Sequence, residues 1–164
     1  MCVYWSPFVG TAIIIALFIV LLWEALRLKL PQHLPFRTFW NSLLKKEEER
    51  NLSDGTFFLL GIFGASFIVK GKELGVLILI LGLADLIAEM VGRTHGRVRL
   101  LNGKSLEGAL AFFITSLALL WVMLTLDISK SIVVSVIITL TELFTKRDNL
   151  WIPLVGAVAL VIVI

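Results

Sequence analysis

The segment from Pro7 to Leu30, PFVGTAIIIALFIVLLWEALRLKL, carries no charged side chain before Glu24, and it sets the terms for the whole chain. A helix rises about 1.5 Å per residue and the hydrocarbon core of a bilayer is about 30 Å thick, so roughly 17–25 mostly apolar residues cross it. Inside hydrocarbon no water satisfies backbone N–H and C=O groups, which leaves α-helices and closed barrels as the only spanning forms. Barrel strands alternate apolar and polar residues. This run is continuous, so it reads as a helix. Composition extends the reading to the rest of the chain: 59% of its 164 residues are hydrophobic, against roughly 45–50% in soluble domains. The expected fold class is all-α, a polytopic integral membrane protein forming one membrane-embedded domain over residues 1–164.

Six apolar runs are candidate transmembrane helices: Pro7–Leu30, Thr56–Val69, Lys72–Gly92, Glu107–Leu126, Ser131–Thr145 and Trp151–Ile164, the second, fifth and sixth being short. The basic residues sort by inter-span segment. Arg27, Lys29, Arg37, Lys45, Lys46 and Arg50 follow the first span, Arg93, Arg97, Arg99 and Lys104 the third, and Lys146 and Arg147 the fifth. Of the 15 lysines and arginines only Lys70, Lys72 and Lys130 fall on the other side. Lysine and arginine concentrate in cytoplasmic loops, which puts the three basic segments inside and both termini on the non-cytoplasmic side. Positive charge follows the first apolar run instead of preceding it, so the run is expected to be retained as a span, not cleaved as a signal. The middle of the loop from Pro31 to Gly55 has Phe36, Phe39, Trp40, Leu43 and Leu44 at helical spacing, as in a short interfacial helix. Trp5, Trp40 and Trp151 read as interfacial anchors, and Gly61, Gly64 and Ala65 as a surface for close helix packing.

The lone Cys2 excludes an intrachain disulfide, and no Cys/His spacing resembles a zinc site. The net charge of +3 follows from the loop bias, so no nucleic-acid partner is expected.

Two acids, Asp85 and Glu89, interrupt the third run. Ionised groups in a membrane segment cost several kcal/mol and mark functional sites by default. Standing four residues apart they share a helix face, which Arg93 continues one turn later. Glu24, Glu107, Glu142 and Asp148 fall toward the same cytoplasmic side. Carboxylates at that depth beside Arg93, Arg97, Arg99 and Lys104 suit a divalent cation carrying a polyphosphate: acid oxygens take Mg²⁺, and guanidinium, ammonium and backbone amides take phosphate. Gly92, Gly96, Gly103 and Gly108 punctuate the basic segment, where backbone can approach an anion closely.

The pattern D-x-x-A-x-x-x-G-R-x-x-G-R over Asp85–Arg97, followed by K-S-L-E-G over Lys104–Gly108, resembles the signature of the CTP-dependent lipid kinases, namely dolichol kinase, phytol kinase and the CTP-dependent diacylglycerol kinase. ELFTKRDNLWIPL, Glu142–Leu154, is similar to their second signature, and EALRL at Glu24–Leu28 and EEERNLSDGTFFLLG at Glu47–Gly61 are similar to upstream family segments. The resemblance implies transfer of the γ-phosphate of CTP to the hydroxyl of a membrane lipid alcohol, polyprenol or dolichol in first place, with Mg²⁺ as cofactor. It implies a metal or general-base role for Asp85, supported by Glu89, with Glu142 as a further metal ligand. Arg93, Gly96, Arg97, Arg99, Lys104, Ser105 and Gly108 would form the nucleotide and phosphate site, with Lys104 counted among the catalytic groups, and Glu107 in that site would complete the acidic ring with Glu142. Asp148 and Asn149 would shape the nucleotide end.

The expected partners are the lipid alcohol, CTP and the bilayer, and a homo-oligomer stays open. The active site would face the cytoplasm, in the cell membrane of a prokaryote or the endoplasmic reticulum of a eukaryote. Two alternatives stand beside this reading. A cytidylyltransferase forming CDP-lipid shares the acid–glycine–lysine pattern but usually carries a Ser-Pro-Lys-Lys type run where this chain has Asn102-Gly103-Lys104-Ser105. A small ion-coupled transporter also uses intramembrane acids, typically near the midplane of two related halves, and this chain has no internal repeat.

The charge bias makes a direct prediction. In a Cys2→Ser background, a membrane-impermeant maleimide applied to intact cells should label a cysteine placed at Lys72 and leave one placed at Arg99 unlabelled. The opposite pattern would invert the assigned orientation.

Overall fold

A computed structural model describes residues 7–29 and 51–164. The expected interfacial helix, Trp5, Trp40 and the basic residues from Arg37 to Arg50 lie outside the described residues. All regular elements among the described residues are helical: α1 (Pro7–Lys29), α2 (Asp54–Ala65), α3 (Lys72–Leu79), a π-helical turn (Ile80–Ala84), α4 (Asp85–His95), a 3₁₀ turn (Leu101–Gly103), α5 (Leu106–Leu124), α6 (Ile128–Phe144) and α7 (Asp148–Val163). α3, the π turn and α4 form one rod, Lys72–His95.

Among the described residues three helices are long and apolar enough to cross a membrane: Gly10–Lys29, Lys72–His95 and Leu106–Leu124. The other expected spans correspond to shorter helices, α2, α6 and α7. α2 stops four residues before the end of its apolar run: Ser66 N–H still bonds Ile62 O, but the N–H groups of Phe67 and Ile68 bond only three residues back, to Gly64 O and Ala65 O. Gly71 then takes a positive φ of 65° and starts the rod. Side chains on the outer surface are apolar too, with Phe18 67%, Val122 66% and Ile162 78% exposed. Helices that are hydrophobic toward both the core and the outside suit lipid surroundings.

The core is a continuous set of apolar side chains from the rod (Leu77, Ile80, Ala84), α5 (Phe112, Leu120), α6 (Val134, Ile138) and α7 (Ile152, Leu160), all fully buried. α5, α6 and α7 pack in sequence, the C-terminal half of the rod lies along α5, and α2 lies along α7. At the last contact a Cβ on Gly61 would come within 2.8 Å of the Asn149 carbonyl oxygen. Pro153 has no N–H to give that carbonyl four residues back, so α2 packs its bare glycine backbone onto an acceptor without its helical donor. Gly61 thus serves the close packing expected from the sequence.

α1 joins the bundle through a buried polar knot. Glu24, 3% exposed, receives Arg27 at 2.5 Å, Ser53 Oγ at 2.5 Å and Thr56 Oγ1 at 3.1 Å, while Arg27 also donates to Asn51 O at 2.6 Å. Its carboxylate therefore ties the end of α1 to the start of α2. Removing one partner of a buried ion pair strands the other charge. Glu24→Ala should lower stability by about 3–5 kcal/mol, read as a large drop in melting temperature in detergent. A wild-type melt would show that Glu24 does not hold α1 to α2.

Candidate functional site

Five helix ends converge at one end of the bundle: the starts of α2, α5 and α7, and the ends of α4 and α6. They enclose a cavity of about 440 Å³. α4 supplies Asp85, Glu89 and Arg93, and the following hairpin supplies Arg99, Asn102, Lys104 and Ser105. Glu142 comes from the last turn of α6, Asp148 and Asn149 from the start of α7, and Asp54 from the start of α2.

Residues 98–106 fold back as a tight turn. Leu100 N–H donates to Lys104 O at 2.7 Å, Leu106 N–H to Val98 O at 3.0 Å, and Arg99 pairs with Ser105 in an antiparallel bridge. The reversal needs left-handed backbone at Asn102 (φ 58°) and Gly103 (φ 78°), the two residue types that enter that region most readily. Ser105 ends the turn as N-cap of α5, its Oγ accepting the Gly108 N–H at 3.1 Å. α4 and α5 cross closely here, since a Cβ on Gly108 would lie 2.9 Å from Ala88 O.

This turn delivers Lys104 to the end of α6. Its Nζ donates to Glu142 O at 2.7 Å, to Glu142 Oε1 at 2.6 Å and to Asp148 Oδ2 at 2.6 Å. Asn102 Nδ2 donates to Leu143 O at 3.2 Å. The last carbonyls of a helix lack intrahelical donors and carry partial negative charge, so an ammonium and an amide are suitable caps. Asp148 sits in the complementary place, the first turn of α7, where its Oδ1 accepts the Asn149 N–H at 2.9 Å.

Carboxylate oxygens of Asp85, Glu142 and Asp148 all lie within 4.8 Å of one another. Glu142 is 4% exposed and its Oε2 has no partner among the described residues. An all-oxygen donor set with one buried oxygen unused fits a hard divalent cation of the Mg²⁺ type. Asp148, assigned from the sequence to the nucleotide end, completes this cluster. Glu89, assigned to the metal, pairs with Arg93 at the exposed rim.

Of the other expected site residues, Arg99, Ser105, Gly108 and Asn149 line the cavity, whereas Gly96, Arg97 and Glu107 do not. Glu107 Oε1 instead accepts the backbone N–H groups of Arg97 at 3.1 Å and Val98 at 3.4 Å, pinning the approach to the turn. Glu24 belongs to the α1–α2 knot rather than to this cluster. Asp54 and Asn102 are cavity residues that the sequence reading passed over. Asp54 carried a signal in the NLSDG segment, where it reads first as an ordinary first-turn acid of α2. Searches against protein-family models, curated proteins and solved structures found no match to this chain.

Burial pulls the Lys104 pKa down, but Asp148 and Glu142 outweigh it and hold the ammonium above the ordinary lysine value. Lys104 is therefore charged at neutral pH and cannot serve as a base there. A raised folded pKa contributes stability that is fully present below about pH 10.4 and is lost as pH rises through the folded value. The difference in melting temperature between wild type and Lys104→Met should stay constant from about pH 7 to 9 and shrink only as pH rises above the ordinary lysine value of about 10.4. A difference that already fades near neutrality would contradict the raised value.

Proposed function

We propose that this chain is a multi-pass membrane phosphotransferase of the CTP-dependent lipid kinase type, moving the γ-phosphoryl group of CTP to the hydroxyl of a membrane lipid alcohol, polyprenol or dolichol first among them. The observation that carries the proposal is the carboxylate cluster Asp85–Glu142–Asp148, with Lys104 bonded to two of its members, in a cavity rimmed by Arg93 and Arg99. In this reading six helices embed in the bilayer, both termini lie outside, and the cavity faces the cytoplasm, where CTP is found.

Phosphoryl transfer asks a protein mainly for positioning and charge neutralisation. Asp85, Glu142 and Asp148 would hold the divalent cation, which when bound supplies neutralisation of the β- and γ-phosphate oxygens. Arg93 and Arg99, both exposed at the rim, grip the phosphates from the other side. The lipid hydroxyl oxygen attacks the γ-phosphorus, its bond to the β–γ bridging oxygen breaks, and CDP departs. Asp85 takes the hydroxyl proton. On the same two turns of α4 the apolar Leu86 and Met90 are 53% and 59% exposed, a surface beside the carboxylates for the chain of the lipid alcohol.

The test uses purified protein, γ-labelled CTP, Mg²⁺ and a polyprenol in detergent. Label should appear in the lipid, and Asp85→Asn should lower the initial rate by at least about 100-fold. Full turnover by that variant would remove Asp85 from its role. Release of pyrophosphate with a lipid phosphate acceptor, and no label in polyprenol, would replace the kinase with a cytidylyltransferase.

A further inference from the structure

Three features of Lys104 go beyond phosphate binding. An ammonium has three N–H donors, and Lys104 spends all of them: on Glu142 O, Glu142 Oε1 and Asp148 Oδ2. None is left for a phosphate oxygen. The two carboxylate oxygens it holds belong to the cluster that also presents Asp85. The remaining Asp148 oxygen, Oδ1, is engaged by the Asn149 N–H, so both Asp148 oxygens are occupied from within the chain. The one cluster oxygen that is buried and unpartnered among the described residues is Glu142 Oε2, on a side chain 6% exposed.

Resting on the metal-dependent reading of this site, we propose that Lys104 is a displaceable internal counter-ion, whose ammonium competes with a divalent cation for Glu142 Oε1 and Asp148 Oδ2. Lys104 holds the three carboxylates together against their mutual repulsion. When it yields those oxygens its donors become free, and its long stem allows the ammonium to turn from the acid cluster into the cavity it already lines. Metal loading and arming of the phosphate-binding lysine are then one event. The turn that carries Lys104 need not unfold for this. Its backbone is held independently by the Leu100–Lys104 and Leu106–Val98 hydrogen bonds, by Asn102 on Leu143 O and by the Ser105 cap. Two like charges contending for one half-buried cluster repel strongly, so Lys104 lowers the affinity of the cluster for metal below what its carboxylates would otherwise give.

Binding of Mn²⁺ alone, without nucleotide, measures this by electron paramagnetic resonance on the full chain in detergent micelles. Lys104→Gln should bind Mn²⁺ at least about ten-fold more tightly than wild type, and Lys104→Arg, which keeps the charge, no more tightly than wild type. Equal or weaker binding by Lys104→Gln, with wild type still binding, would overturn the competition and leave the metal site standing. Absence of Mn²⁺ binding in both proteins would overturn the metal site itself. A second measurement needs no variant: modification of the Lys104 amine by an amine-reactive ester, followed by mass spectrometry, should rise severalfold as Mg²⁺ is added to wild type. Unchanged or falling modification would show that the ammonium stays in the cluster.

Discussion

Everything at the cavity end of the bundle depends on one ammonium group. Lys104 Nζ binds the end of α6 through Glu142 and the start of α7 through Asp148, while its own backbone belongs to the turn between α4 and α5. Two connections distant in sequence, the turn between α4 and α5 and the link between α6 and α7, are thereby fixed to each other. Like charges brought this close in a half-buried setting repel steeply, so the three carboxylates need an internal cation to share one cavity. The left-handed pair Asn102–Gly103 and the Ser105 cap serve this end, since they aim the lysine at α6.

The helix ends around the cavity add a second level of order. The starts of α2, α5 and α7 meet there, and helix N-termini bring partial positive charge and unpaired N–H groups. The end of α6 brings the opposite sign, and Lys104 and Asn102 compensate it. Acid oxygens of Asp85, Glu142 and Asp148 collect between α4, α6 and α7, and Arg93 and Arg99 also line the cavity.

Much of this was legible in the sequence because a charge in an apolar run is conspicuous. Asp85 and Glu142 stand out for that reason, Lys104 as part of the glycine-punctuated basic segment, and Asp148 as an acid directly after the fifth run. Their pairing was harder to read. Spacing of four puts Asp85 and Glu89 on one face, yet a face says nothing of distance from the bundle axis, and one turn separates the cluster from the rim where Glu89 meets Arg93. Glu24 was placed with the other acids by depth alone, and its partners Ser53 and Thr56 stand about thirty residues away, beyond any local pattern. Asp54 hid in a polar segment where an acid at a helix start needs no special explanation. The apolar run extends past the end of α2 because hydropathy does not register where backbone bonding tightens to three residues back while the chain stays apolar.

The π turn Ile80–Ala84 stands immediately before Asp85. A π turn amounts to one surplus residue inside an α-helix, and each residue of an α-helix advances the azimuth by about 100°. The bearing of the Asp85 carboxylate is therefore fixed by a counting error in the rod beneath it as much as by the groups it meets. Losing one residue from that turn would keep the rod helical and its apolar character intact while rotating everything above it, so that Leu86 or a neighbour faced the cavity where an acid now stands. The phase of a helix, invisible to composition and hydropathy, is here what decides whether the chain has a site at all.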